Sequence, residues 1–237
     1  EDCCGLTDSP THVTTAKDIA IMSRELITKY PQIHNYSTIW MENITHVTKQ
    51  GTKEFGLANT NKLLKMAADF QVTGLKTGST SRAKYCLSAT AQKDGIRLIA
   101  VIMAAPDYKA RFKDAVTLLN YGYGNCRLYK DETPPELPKL SVTGGKEPEV
   151  ELSYGETFTY LGLHGEDFSG VERELMLEES AKAPVKAGDQ LGTLRYRFNG
   201  EEIGNIPVIA ARDVDPAGFS DYVKWMMGWW RMRGEEV

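Results

Sequence analysis

Between residues 14 and 30, apolar side chains recur every three or four positions, at Ala16, Ile19, Ala20, Met22, Leu26 and Ile27. That spacing predicts an amphipathic helix, with Thr14 or Thr15 able to cap its start and Pro31 just beyond its end. Short apolar or alternating runs at residues 37–40, 72–76, 85–91 and 96–104 predict strands. The last two are joined by Gln92-Lys93-Asp94-Gly95, whose Asp-Gly pair marks a tight hairpin. A second amphipathic helix is expected from Asp107, its cap, to about Tyr121, burying Phe112, Ala115, Val116, Leu118 and Leu119. Gly122 and Gly124 mark its expected end.

The pattern changes at residues 131–138, where Pro134, Pro135 and Pro138 cannot continue a helix. Beyond them come short strand candidates at 150–153, 157–161, 172–177, 191–198 and 206–211, with Asn199-Gly200 suited to a hairpin turn. This half reads as a small all-β sandwich module. The boundaries predicted are 1–130 for a helix-and-sheet domain, 131–214 for the β module and 215–237 for a terminal helix. On a helical projection from Phe219, the residues Tyr222, Val223, Met226, Met227, Trp229 and Trp230 share one face. Asp221, Lys224, Gly228 and Arg231 lie opposite. Such a helix is too short and polar to span a bilayer but suits its interface; docking on its own domain or a partner is the alternative.

Composition narrows the options. The chain has 237 residues, is 41% hydrophobic and 25% charged, and carries a net charge of -4. With no basic stripe interleaved with aromatics, nucleic acid is not an expected partner. Cys3, Cys4, Cys86 and Cys126 form no Cys-x-x-Cys, and the histidines (His12, His34, His46, His164) are scattered, so no metal site is expected. The thiols read as structural or free, with one long-range bridge left open.

The chemistry concentrates in Lys76-Thr77-Gly78, followed by Ser79, on a predicted strand. A peptide can add to an edge strand through main-chain hydrogen bonds. The glycine keeps side-chain bulk away, the threonine hydroxyl can donate to a terminal carboxylate, and the lysine supplies a positive charge. Alone, such a tripeptide is common.

Its context is not. The segments 74–80 (Gly-Leu-Lys-Thr-Gly-Ser-Thr), 85–91, 96–103 and Asn59-Thr60-Asn61-Lys62-Leu63-Leu64 resemble the serine-type D-Ala-D-Ala carboxypeptidases, the low-molecular-mass penicillin-binding proteins. Gly5-Leu6 and the segment 14–20 look like the stretch between that family's second and third boxes. The resemblance covers the whole chain. It implies an α+β fold: part of a β-lactamase/transpeptidase-like domain, an antiparallel sheet with helices, then a small β-sandwich and an amphipathic anchor. It implies Lys76 as a catalytic residue and Thr77, Gly78, Ser79, Arg111, Asn59 and Thr60 as substrate-binding residues, with Asn61 in the same segment. Arg111 would help hold the substrate carboxylate; its bland alternative is a solvated helix-face arginine. The implied partners are peptidoglycan stem peptides ending in D-Ala-D-Ala, β-lactams and the outer face of a bacterial cytoplasmic membrane. No cofactor is implied.

The family nucleophile, a serine in Ser-x-x-Lys assisted by Ser-x-Asn, is expected to lie outside this chain. Ser81-Arg82-Ala83-Lys84 matches the first pattern literally, but it directly follows the third box instead of facing it from a helix start. Tyr123-Gly124-Asn125 resembles a variant of the second box and is set aside similarly. A separate polypeptide or N-terminal region carrying the serine is therefore expected. A non-catalytic peptide-binding module at the membrane surface is the rival reading, and a β-lactamase fits the β module and terminal helix poorly.

Overall fold

The computed structural model describes residues 11–233. The pair Cys3-Cys4, the Gly5-Leu6 segment and residues 234–237 of the expected terminal helix lie outside the described residues. By its internal contacts the chain divides into two units, residues 1–127 with 163–165 and residues 128–162 with 166–237.

In the first unit, helix α1 (Ala16–Lys29) opens on a reciprocal cap. The Asp18 amide donates to Thr15 Oγ1 at 3.1 Å, and the Thr15 amide to Asp18 Oδ2 at 3.0 Å, satisfying donors that a helix start leaves without partners. Ser23 and Ile27 are buried, whereas Met22 and Leu26 of the predicted stripe are exposed. A 3-10 turn and the short helix α2 (His34–Ser37) follow. The strand predicted at 37–40 is therefore not formed. Ser37 Oγ and His34 Nδ1 both donate to the Thr73 carbonyl, at 2.7 and 2.9 Å, and that anchoring favours the helical turn over an extended chain.

Strands β1 (Met41–Thr48) and β2 (Gly51–Ala58) pair as an antiparallel hairpin with every residue exposed. Since neither face is buried, no alternation in the sequence announced it. Strands β3 (Gln71–Thr80), β4 (Lys84–Lys93) and β5 (Ile96–Ala105) form an antiparallel sheet in that order, with β3 at an edge. The predicted β4–β5 turn is present: Asp94 and Gly95 have φ of 49° and 78°, the left-handed pair that a tight hairpin needs. Central β4 is buried from residue 87 to residue 91. Leu87, Ala89 and Ala91 pack with Leu63 and with Phe112, Ala115 and Leu119 of helix α3 (Ala110–Asn125). Ser88, of opposite parity along β4, shares a 2.7 Å hydrogen bond with Ser23 of α1. The sheet thus has a helix on each face.

The residue flanking the start of α3 is Lys109, not the expected Asp107, which lies two residues earlier with its Oδ1 accepting from the amides of Lys109 at 2.7 Å and Ala110 at 2.9 Å. The helix runs past Gly122 and Gly124, however, and does not stop near Tyr121. At Gly122 an added Cβ would come within 2.6 Å of Leu98 Cδ1, so this glycine serves the close approach of helix and strand rather than termination.

The second unit is β-rich and begins within β6 (Arg127–Lys130). Its further strands are β7 (Leu140–Thr143), β8 (Glu149–Val150), β9 (Leu152–Tyr154), β10 (Thr159–Gly162), β11 (Glu172–Leu177), β12 (Ala181–Lys182), β13 (Gln190–Phe198) and β14 (Glu201–Ala210). A four-stranded sheet, β11-β13-β14-β9, is flanked by β12-β7-β8 and by the pair β10-β6. One core joins Leu140, Val142 and Val150 to Leu191 and Ala210, and a second joins Phe158 to Leu194, Tyr196, Ile206 and Val208. The pattern had not announced β6, β7 or β12, and the strand expected at 150–153 is split between two sheets. Helix α4 (Phe219–Arg233) closes the described chain. The fold is α+β, a sheet with helices followed by a β domain and a terminal amphipathic helix.

Candidate active site

Lys76, Thr77, Gly78 and Ser79 occupy the second half of edge strand β3. On one side they pair with Ser88, Leu87, Cys86 and Tyr85 of β4, and among the described residues no strand pairs with the other side. Lys76, Gly78 and Ser79 are exposed, and Thr77 is buried. The Lys76 ammonium donates to the Thr77 carbonyl at 2.5 Å; an ammonium has three donors, so this bond does not exhaust it.

Thr77 meets the segment Asn59-Thr60-Asn61. Thr60 Oγ1 lies 2.6 Å from Thr77 Oγ1, a hydrogen bond in which either hydroxyl can donate. The flanking asparagines hold this segment by side-chain to backbone bonds. Asn59 Nδ2 donates to the carbonyls of Ser37 and Ile39, and Asn59 Oδ1 accepts from the Asn61 amide at 2.9 Å. Asn61 Oδ1 in turn accepts from the Leu63 amide, which starts a 3-10 turn at Lys62–Lys65. Asn59 therefore supports the segment and makes no hydrogen bond to β3.

Arg111 approaches the same strand from the first turn of α3. It is 7% exposed, which overturns the solvated helix-face alternative. Its Nη1 donates to the carbonyls of Gly78 and Cys86, each at 3.3 Å. The guanidinium carbon lies 5.6 Å from the centre of the Tyr85 ring and 4.8 Å from that of Phe112. Among the described residues no carboxylate forms an ion pair with Arg111, and Nε is buried without a hydrogen-bond partner. Burying a cation without a counter-ion is costly, so its charge is available to an anion that reaches it. Tyr85 and the Cys86 carbonyl went unnoticed in the sequence; only the β3–β4 register, which sets Tyr85 opposite Ser79 and Cys86 opposite Gly78, would have pointed to them.

The two box-like patterns fall elsewhere. Ser81 is in the exposed turn between β3 and β4, and Lys84 is the first residue of β4. Asn125 ends α3, where its Nδ2 donates to the Tyr121 carbonyl at 2.8 Å. Nearby Tyr123 packs on Phe70, and burial, with a smaller contribution from Cys126, pushes its hydroxyl from 10.0 up to about 12. In the second unit an open cavity of about 380 Å³ is lined in part by Asp131, Tyr154, Phe158 and Tyr196, and none of the candidate site residues named from the sequence borders it. Among the described residues no group of three His, Cys, Asp or Glu could hold a metal ion.

Fold and site define a class: the sheet-and-helix part of a transpeptidase-like domain, bearing a Lys-Thr-Gly edge strand, followed by a β domain. Residues 1–107 match the family model of D-alanyl-D-alanine carboxypeptidase, and residues 123–216 match that of the penicillin-binding protein 5 C-terminal domain. The D-alanyl-D-alanine carboxypeptidase DacF of Bacillus subtilis is 35% identical over 229 residues, covering 95% of this chain and 57% of the relative. DacC of Escherichia coli is 30% identical, covering 90% of this chain and 51% of its own length. The crystal structure of penicillin binding protein 5 from Haemophilus influenzae superposes with a TM-score of 0.60 at 27% identity, over 88% of this chain and 59% of that one. This chain belongs to the D-alanyl-D-alanine carboxypeptidase family. It spans about half the length of the curated relatives it matches.

Proposed function

We propose that this chain supplies the substrate-binding wall of a D-alanyl-D-alanine carboxypeptidase that trims peptidoglycan stem peptides. The stem peptide lies along the free edge of β3, its backbone bonding to that of residues 76–79. Thr77 and Arg111 meet the terminal carboxylate, and Gly78 leaves room for the peptide. Lys76 places its ammonium beside the scissile bond. A serine hydroxyl from outside this chain attacks the carbonyl of the penultimate D-Ala; the C–N bond breaks, the leaving amine takes a proton, and terminal D-Ala departs. Water then hydrolyses the ester and frees the serine. β-Lactams compete for the same edge, as the name of the Haemophilus relative implies.

The observation that carries this reading is Arg111, a buried guanidinium with no ion-pair partner among the described residues, bonded to the carbonyl of Gly78. Helix α4 adds a location. Phe219, Tyr222, Trp225, Met226, Met227 and Trp230 are all exposed, and Lys224 and Arg231 supply cationic charge. No helix of the described residues is long and apolar enough to cross a membrane. We place α4 in the interface of the cytoplasmic membrane, on its outer face.

The test is a titration of the isotope-labelled chain with a peptide ending in D-Ala-D-Ala, followed through the amides of residues 76–79, beside labelling with a fluorescent penicillin. Shifts confined to β3 and its contacts, with no covalent label until a polypeptide carrying the Ser-x-x-Lys box is added, are expected. Absence of shifts sinks the proposal. Labelling of the chain alone that is lost in a folded Ser81→Ala variant would make Ser81 the nucleophile. Absence of labelling even with the added polypeptide leaves a non-catalytic peptide-binding module.

A further inference from the structure

Thr60 is exposed, yet its hydroxyl is fixed against the buried hydroxyl of Thr77 at 2.6 Å. The backbone on either side of it is pinned. The Asn59 amide donates to the Trp40 carbonyl at 2.8 Å, the Asn59 side chain ties residues 37, 39 and 61 together, and the Asn61 side chain holds the Leu63 amide. Four side-chain bonds thus position a segment whose only hydroxyl is aimed at the threonine of the Lys-Thr-Gly box.

We infer that Thr60 is a positioning residue for carboxylate recognition: it donates to Thr77 Oγ1, so that the single Thr77 proton is directed to the ligand. The inference rests on the reading of β3 as a site for peptides with a free C-terminus. Its logic is a proton count. A threonine hydroxyl has one proton and two lone pairs, and an ionised carboxylate only accepts. Thr77 can serve a carboxylate only by donating to it, which forces the 2.6 Å bond to run from Thr60 to Thr77. A hydroxyl that already accepts a hydrogen bond is polarised into a better donor. A carboxamide terminus also offers donors, so for that ligand the direction of the pair carries no advantage. Thr60 therefore sets a preference between two termini rather than affinity in general.

The experiment measures dissociation constants of the full chain for two peptides by amide-shift titration, one ending in D-Ala-D-Ala carboxylate and one in its carboxamide. Wild type, Thr60→Val and Thr60→Ser are compared. The wild-type chain prefers the carboxylate. Thr60→Val loses about fivefold of that preference, the worth of one net hydrogen bond, and Thr60→Ser restores it. A purely structural role for Thr60 would shift both peptides alike. If wild type prefers the carboxylate and Thr60→Val keeps the full preference, the inference is wrong while the site stands. If wild type shows no preference, both the site reading and the inference fall. Should Thr60→Val fail to fold, Thr60→Ala decides by the same ratio.

Discussion

Arg111 and Gly78 are joined by a 3.3 Å bond from guanidinium to carbonyl, 33 residues apart in sequence, on a guanidinium that no carboxylate of the described residues neutralises. A helix-borne cation has been brought to the glycine of an edge strand, held by two carbonyls and two aromatic rings but with no counter-ion among the described residues. Stability alone gives no reason for this arrangement, because a buried charge is usually replaced by an apolar side chain at little cost or some gain.

The consequence is a trade between folding and binding. Arg111→Met should leave the unfolding free energy within about 1 kcal/mol of wild type, lost carbonyl bonds offsetting relief of the buried charge. The affinity for a carboxylate-terminated peptide should fall roughly tenfold or more, since a hydrogen bond to a charged group has been removed. Arg111→Lys should recover only part of it, because an ammonium cannot reproduce the planar fork. Urea melts beside peptide titrations read both quantities. A variant that unfolds readily yet binds normally when folded would make Arg111 a purely structural residue.

Asp131 links distant parts of the β domain. Its Oδ2 accepts from Tyr196 at 2.9 Å, and Oδ1 accepts from Arg173 at 3.2 Å and from the Thr133 amide at 3.3 Å. The carboxylate is almost wholly buried, and Arg173 sits opposite Tyr196 in the β11–β13 register. Asp131→Ala leaves a buried tyrosine hydroxyl without its partner and should cost roughly 2–4 kcal/mol. Asp131→Asn keeps an acceptor and should cost less. Chemical denaturation, read by tyrosine absorbance, orders the two variants; an Asp131→Ala protein as stable as wild type would show the network to be incidental.

What the sequence made legible follows burial. Strands β4 and β5 and the turn between them announced themselves because β4 is buried in the middle of a sheet covered on both faces. Lys76, Thr77, Arg111 and Thr60 came together because a family resemblance named them; periodicity had placed Arg111 no deeper than a solvated helix face. The β1–β2 hairpin left no trace, since its exposed residues need no alternation. The terminal glycines of α3 misled because the same residue type ends helices and lets them pack closely, and only the position of Leu98 separates the two roles. The Asp131 network was invisible because its partners lie 42 and 65 residues away.

Tyr123 predicts an alkaline weakness. Its hydroxyl is buried without a partner and is pushed up from 10.0 to about 12. A raised acid favours the folded state while it stays neutral, so its contribution is complete below pH 10 and is lost as pH rises toward 12. Tyr123→Phe keeps the packing on Phe70, removes the unsatisfied hydroxyl and should be neutral or stabilising by up to about 1 kcal/mol at pH 8. Between pH 10 and 12 the variant should lose less stability than wild type. Parallel losses in both proteins would mean that the alkaline limb belongs to other groups.

Helix α4 tests the membrane assignment. Trp225 and Trp230 are 46% and 78% exposed, so at least roughly 60 Å² more of each ring can be buried on insertion into an interface. At about 25 cal/mol per Å² that is about 1.5 kcal/mol, near tenfold in partitioning, for each ring. The double variant Trp225→Ala, Trp230→Ala should therefore bind vesicles containing anionic lipid about a hundredfold more weakly. Neutralising exposed Lys224 should mainly flatten the salt dependence, because an exposed charge acts through a screened field. Cosedimentation across a salt series separates the two contributions. Tryptophan replacement that leaves vesicle binding intact would assign the apolar face of α4 to a protein surface instead.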